Sequence, residues 1–132
     1  MKLNLRYADR ALILGLFLII GETNAGAQSF KNNVQPIFDA NCVSCHQTGS
    51  APQNLVLESG TSYRAIVNQS STEAHQILVV PGVPKASYLL AKISGTHVEL
   101  GGKGERMPIG GVLPSEDIDA IRAWIAGGAL DN

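Results

Sequence analysis

An all-α fold is what this chain of 132 residues predicts. Three observations carry that expectation. Apolar side chains recur at the three- and four-residue spacing of a helix face in four separate segments. No stretch of useful length alternates apolar and polar residues as a half-buried strand does. The last segment is bracketed by an acidic start and a glycine pair, the usual signals of a helix boundary.

The first segment runs from Phe30 to about Asn41, with Phe30, Val34, Ile37 and Phe38 as its apolar stripe. Pro36 interrupts it, and is expected either to kink the helix or to push its start downstream. The second covers Ser59–Asn68, where Tyr63, Ile66 and Val67 share a face. The third opens near Pro84, whose fixed φ suits a first helical position, and carries Ala86, Leu89, Leu90 and Ile93. In the last, Ser115 reads as the N-cap, and Glu116 and Asp117 lie where the helix dipole favours negative charge. Ile118, Ile121, Trp124 and Ile125 then fall on one side, and Gly127-Gly128 is a natural stop. Leu55–Leu57 is too brief for a strand, and Ile77–Val80 is cut off by Pro81-Gly82. Gly95–Gly111 reads as a long glycine-rich loop, and long structureless loops in compact domains usually carry function.

Two parts divide the chain. Lys2, Arg6 and Arg10 give a positive start, Ala11–Ile20 is a short uncharged apolar run, and Ala25-Gly26-Ala27 follows a polar stretch. Residues 1–27 therefore read as a cleavable signal peptide. The rival reading is an uncleaved anchor helix, but the apolar run is well short of the ~20 residues of a spanning helix, which favours cleavage; no integral membrane span is expected after it. Residues 28–132 are expected to form one exported, periplasmic domain. That part carries seven basic and nine acidic side chains, which makes it mildly acidic. Such a balance offers no electrostatic footprint for nucleic acid. An overall composition of 45% hydrophobic and 16% charged residues excludes a disordered chain.

The chemistry resides in Cys42-Val43-Ser44-Cys45-His46, a C-x-x-C-H pentapeptide. This is the attachment signature of a c-type haem. Two thiols separated by two residues can each add to a vinyl group on one porphyrin edge, and the histidine that follows can lie over the ring and coordinate iron. The rivals are weaker. A thioredoxin-like redox pair needs a βαβ setting that the pattern lacks. Structural zinc normally takes four protein ligands, and there is no second cysteine pair. A simple disulfide remains compatible with export.

A six-coordinate haem needs a second axial ligand. Beyond residue 27 the candidates are Met107, His75 and His97. Met107 is favoured by context: it lies in Arg106-Met107-Pro108 within the glycine-rich loop, a polar setting unsuited to a core-filling methionine. His97, in the same loop, is second choice. As bystanders, His75 and His97 both read as solvated side chains. His46 is expected to donate its other ring N–H to a carbonyl in the stretch around Pro52.

The sequence resembles a class I cytochrome c domain, and more closely the planctomycete-type cytochrome c domain. The matching stretches are VQPIFDANCVSCH (34–46), LVLESGTSYRAIVN (55–68), VVPGVPKASYLLAKISG (79–95), RMPIGG (106–111) and IDAIRAWIAGGA (118–129). The resemblance implies a single cytochrome c fold of four to five helices and long loops around one covalent haem c. It implies Cys42 and Cys45 as attachment points, His46 as proximal iron ligand and Met107 as distal iron ligand. It also implies terminal helices packed across each other, which would bring Phe38 to Trp124. The expected function is one-electron transfer between redox partner proteins, by a carrier rather than an enzyme. Two alternatives stand beside it: a haem enzyme or gas sensor with a labile distal ligand, and a haem-binding module of a larger dehydrogenase or oxidase complex.

Overall fold

A computed structural model describes residues 28–132 as four α-helices joined by long loops and short 3-10 turns. The signal peptide expected over residues 1–27 lies outside the described residues. Among the described residues there is no β-strand, and no helix is long and apolar enough to cross a membrane.

The first expected helix is wound in two ways. Ser29 starts it, its Oγ accepting from the Asn32 amide at 3.2 Å. Phe30–Val34 then forms a wide π-helical turn, and α1 continues it over Gln35–Asn41. Pro36 falls in the first turn of α1, where the wide winding gives way to the α-helical one. Phe30, Val34, Ile37 and Phe38 remain one buried stripe across both windings.

The second helix, α2, is shorter than expected and covers Ser62–Ile66. Gly60 before it and Asn68 after it adopt φ of +86° and +56°, outside the helical region. The chain leaving α2 meets Ile77–Val80 instead: Val67 pairs with Val79 and Ser70 with Ile77 as isolated bridges.

Pro84 opens a 3-10 turn, Pro84–Ala86, rather than the helix itself; α3 is Tyr88–Ser94. Ser87 separates the two, its Oγ accepting from the Val80 amide at 2.9 Å and donating to the Val83 carbonyl at 3.1 Å. Every residue from Tyr88 to Ile93 is buried, so α3 is enclosed on all sides.

The fourth helix, α4, spans Ser115–Ala126. Ser115 is its first residue and not its cap; the cap position belongs to Pro114, whose carbonyl accepts from the Asp117 and Ile118 amides at 3.2 Å each. Ile121, Trp124 and Ile125 are buried as the periodicity required, and Gly128 leaves the helix at φ +100°.

Helix α4 packs against the Phe30–Val34 turn and against α3. At the first crossing the Phe30 ring lies 5.1 Å from Trp124 and 5.3 Å from Tyr63, centroid to centroid. Phe30 thus takes the place expected of Phe38, which sits edge-on behind it at 6.2 Å. Polar bonds fasten the same corner. Trp124 Nε1 donates to the Leu130 carbonyl at 2.9 Å and Tyr63 donates to the Ala129 carbonyl at 3.0 Å. The Asn132 carbonyl accepts from Ser29 Oγ at 2.6 Å and from the Lys31 amide at 2.9 Å. Together they draw residues 129–132 down onto the first turn.

Candidate functional site

The helices enclose a cleft of about 480 Å³, within the range of ~300–1,000 Å³ usual for cofactor and small-molecule sites. Its walls are mainly apolar, from Phe38, Leu55, Leu78, Leu89, Leu113 and Ile121. Cys42, Cys45, His46 and Met107 all line it. Residues 61 apart in the chain, His46 and Met107, are thereby brought to one cavity.

The pentapeptide forms a turn that continues α1. The Cys42 and Val43 amides donate to the Phe38 carbonyl at 2.8 and 3.0 Å, and the His46 amide donates to the Cys42 carbonyl at 2.9 Å. A loop then returns the chain to His46. Gln53 and Asn54 adopt φ of +57° and +55° in it, left-handed conformations that side-chain-bearing residues take at a cost. Glu58 ties the loop's ends by accepting from the Thr48 amide at 2.9 Å and from the Thr48 hydroxyl. The Thr48 hydroxyl and amide hold the Glu58 carboxyl below its ordinary value.

This return grips His46 twice. Its main-chain carbonyl accepts from the Leu57 amide at 2.9 Å. Its ring Nδ1 lies 2.7 Å from the Leu55 carbonyl, three residues past Pro52 and inside the stretch where the acceptor was expected. A carbonyl can only accept, so Nδ1 carries a proton, and in the neutral ring this tautomer leaves Nε2 with its lone pair.

Burial, with a smaller contribution from Cys45, pushes the Cys42 thiol up to about 11. Cys42 is therefore protonated at neutral pH, the opposite of the lowered thiol that redox-active C-x-x-C pairs display. Among the described residues no group of three or more His, Cys, Asp or Glu side chains is placed to hold a metal ion.

The two other histidines part company. His75 is exposed, as a solvated side chain should be. His97 is not solvated: it is 3% exposed, with Nε2 3.0 Å from the Gly104 carbonyl. The expectation of a solvated ring failed because the polar, glycine-rich loop folds a 3-10 turn, His97–Leu100, inward against α3. His97 does not line the cleft, so the second-choice ligand is occupied elsewhere.

Sequence reasoning missed a polar cluster on the cleft wall. Glu73 accepts from Lys92 Nζ at 2.7 Å and from the Tyr88 hydroxyl at 2.9 Å. Burial works against the Glu73 charge, but the hydrogen bonds from Lys92 and Tyr88 outweigh it and hold the carboxyl below its ordinary value. Burial, and then the bond to Glu73, push the Tyr88 phenol up to about 12. The one available signal was the Tyr88/Lys92 spacing on α3, four residues apart and so on one face. No known protein family, curated protein or solved structure matches this chain.

Proposed function

We propose that this protein is an exported mono-haem c-type cytochrome with a cytochrome c fold, carrying single electrons between redox partners. The observation that carries the reading is the His46 ring. It sits in the C-x-x-C-H turn, its tautomer is set by the Leu55 carbonyl at 2.7 Å, and it shares one apolar cleft with Met107. Metal-bound histidines characteristically donate their other ring N–H to such an acceptor.

The residues present fit the group. Cys42 and Cys45 lie on the cleft with the spacing that two thioether bonds require. His46 would supply the proximal nitrogen and Met107 the distal sulfur. Haem c supplies reversible one-electron cycling of iron, tuned by axial ligands, burial and hydrogen bonding. The chain's own contributions are then distinct. Leu55 orients the His46 ring. The apolar walls formed by Phe38, Leu78, Leu89 and Ile121 exclude water. With His46 and Met107 as its ligands, the thioether would raise the potential of the bound iron. His97, turned away to Gly104, is in no position to serve as the distal acid–base group of a haem enzyme.

Expression in a host able to mature c-type cytochromes, followed by absorbance spectroscopy, tests the reading. The oxidised protein should show a Met–Fe(III) charge-transfer band. High-spin ferric spectra with ready carbon monoxide binding would instead favour the sensor or enzyme alternative.

A further inference from the structure

Lys92 holds the Met107 loop at two points. Its backbone carbonyl accepts from the Met107 amide at 3.2 Å, and its ammonium donates to the Lys103 carbonyl at 2.7 Å. One residue of α3 therefore clasps both ends of the segment 103–107. The ammonium is itself fixed from the other side by Glu73 at 2.7 Å, and Glu73 is fixed by the Tyr88 hydroxyl at 2.9 Å. Tyr88 and Lys92 stand one helical turn apart on the same face of α3. The lysine side chain is 9% exposed. An ammonium so enclosed is costly unless it is paired and hydrogen-bonded, and the Glu73 carboxylate and the Lys103 carbonyl take two of its three donors.

Two neighbouring contacts extend the clasp. The Gly102 amide donates to the His97 carbonyl at 2.9 Å, and His97 Nε2 meets the Gly104 carbonyl at 3.0 Å. Gly102 lies so close to Tyr88 that a Cβ there would stand 2.1 Å from the phenolic oxygen. The loop is thus seated on Tyr88 and tied to Lys92 just before it reaches Met107.

We infer that Lys92, braced by Glu73 and Tyr88, is the positioning residue that presents Met107 to the cleft. This rests on the reading of Met107 as an axial ligand, and deepens it. Lys92 touches no reacting atom; it sets where the sulfur stands. A surface lysine in the same helix would contribute helical propensity and little else. A lysine bonded to the ligand loop through both its main chain and its side chain couples loop order to ligand placement.

The test uses the haem-loaded protein and two variants, Lys92→Met and Glu73→Gln. Lys92→Met keeps the apolar stem and removes the ammonium. Glu73→Gln keeps the shape, removes the charge and so weakens the brace, and leaves Lys92 present. Amide hydrogen exchange of residues 103–107 is read alongside the Met–Fe(III) charge-transfer band. In Lys92→Met those amides should exchange about tenfold faster or more, as loss of a charged hydrogen bond implies. The band should weaken or vanish, while exchange in α4 stays as in the parent. Glu73→Gln should move both readouts in the same direction by less. Lys92→Arg should restore much of the band, since a guanidinium also donates. Unchanged exchange over 103–107, or an undiminished band in Lys92→Met, overturns the inference. A parent protein with no such band refutes the axial role of Met107, and with it the inference. Faster exchange spread evenly through α4 would mark a general loss of stability and also overturn it.

Discussion

Replacing Gly102 by alanine is the sharpest packing test that the fold offers. Gly102 is buried, and its backbone lies outside the left-handed region, so a Cβ is opposed by space and not by φ. That Cβ would stand 2.1 Å from the Tyr88 hydroxyl oxygen, 2.8 Å from the His97 carbonyl and 3.0 Å from Tyr88 Cε2. The His97 carbonyl cannot retreat without losing the Gly102 amide it accepts at 2.9 Å. Tyr88 is 2% exposed and its hydroxyl is committed to Glu73 at 2.9 Å, so moving it aside toward the cleft breaks that bond. Overpacking of this kind costs about 1–3 kcal/mol, and a lost hydrogen bond to a charged acceptor about 1.5–3 kcal/mol. One displacement relieves part of both, so the variant should lose about 2–4 kcal/mol. For a domain of this size that lowers Tm by about 10 °C or more. Urea unfolding followed by Trp124 fluorescence reads the loss as a shifted midpoint at constant m. Gly101→Ala is the control: φ is +80° but nothing lies within 4 Å, so only the left-handed cost of about 1–2 kcal/mol applies. A Gly102→Ala protein within about 0.5 kcal/mol of the parent, or more stable than Gly101→Ala, would refute the packing argument.

Three further outcomes are expected. Trp124→Ala empties the centre of the Phe30–Tyr63–Trp124 cluster and orphans the Leu130 carbonyl, so denaturant titration should show a loss of about 3–5 kcal/mol. Glu73 has a lowered folded value against an ordinary one of 4.5. Its contribution to stability is therefore complete above the ordinary value and lost as pH falls through the folded one. Urea midpoints measured from neutral to acid pH should fall for the parent and fall less steeply for Glu73→Gln; parallel curves would contradict the assignment. Met107→Ala should retain haem on a denaturing gel, lower the reduction potential and admit carbon monoxide, whereas an unchanged potential would remove Met107 from the ligand set.

Much of this arrangement is legible in the sequence, and what is not has physical reasons. Trp124, Ile121 and Ile125 could be assigned to the core because a single α-helix carries them at regular spacing and one face is buried. The Phe30–Phe38 stripe was equally visible, but the periodicity could not distinguish one continuous helix from a π turn leading into α1. Those two windings bury the same residues. Ser115 has the chemistry of a cap, yet the preceding proline already holds an extended backbone at φ −52°, ψ 146°, and its carbonyl starts the helix. The pentapeptide stands out in the sequence as a local signature and Met107 by its loop context, whereas the cleft that they share is a product of the tertiary fold. Lys92 does not stand out, since its partners Glu73 and Lys103 lie 19 and 11 residues away, and only the tertiary fold brings them together. His97 misled for the same reason: a polar loop sequence says nothing about which of its side chains the loop folds under.

On the proposed function, the cleft beside Cys42 and Cys45 holds a porphyrin fastened to the chain. Intact-mass spectrometry of denatured protein, purified from a maturation-competent host, measures that directly. The parent should be a polypeptide heavier by one haem, and Cys42→Ala or Cys45→Ala should yield little haem-loaded protein. A parent protein whose mass is that of the bare polypeptide would contradict it.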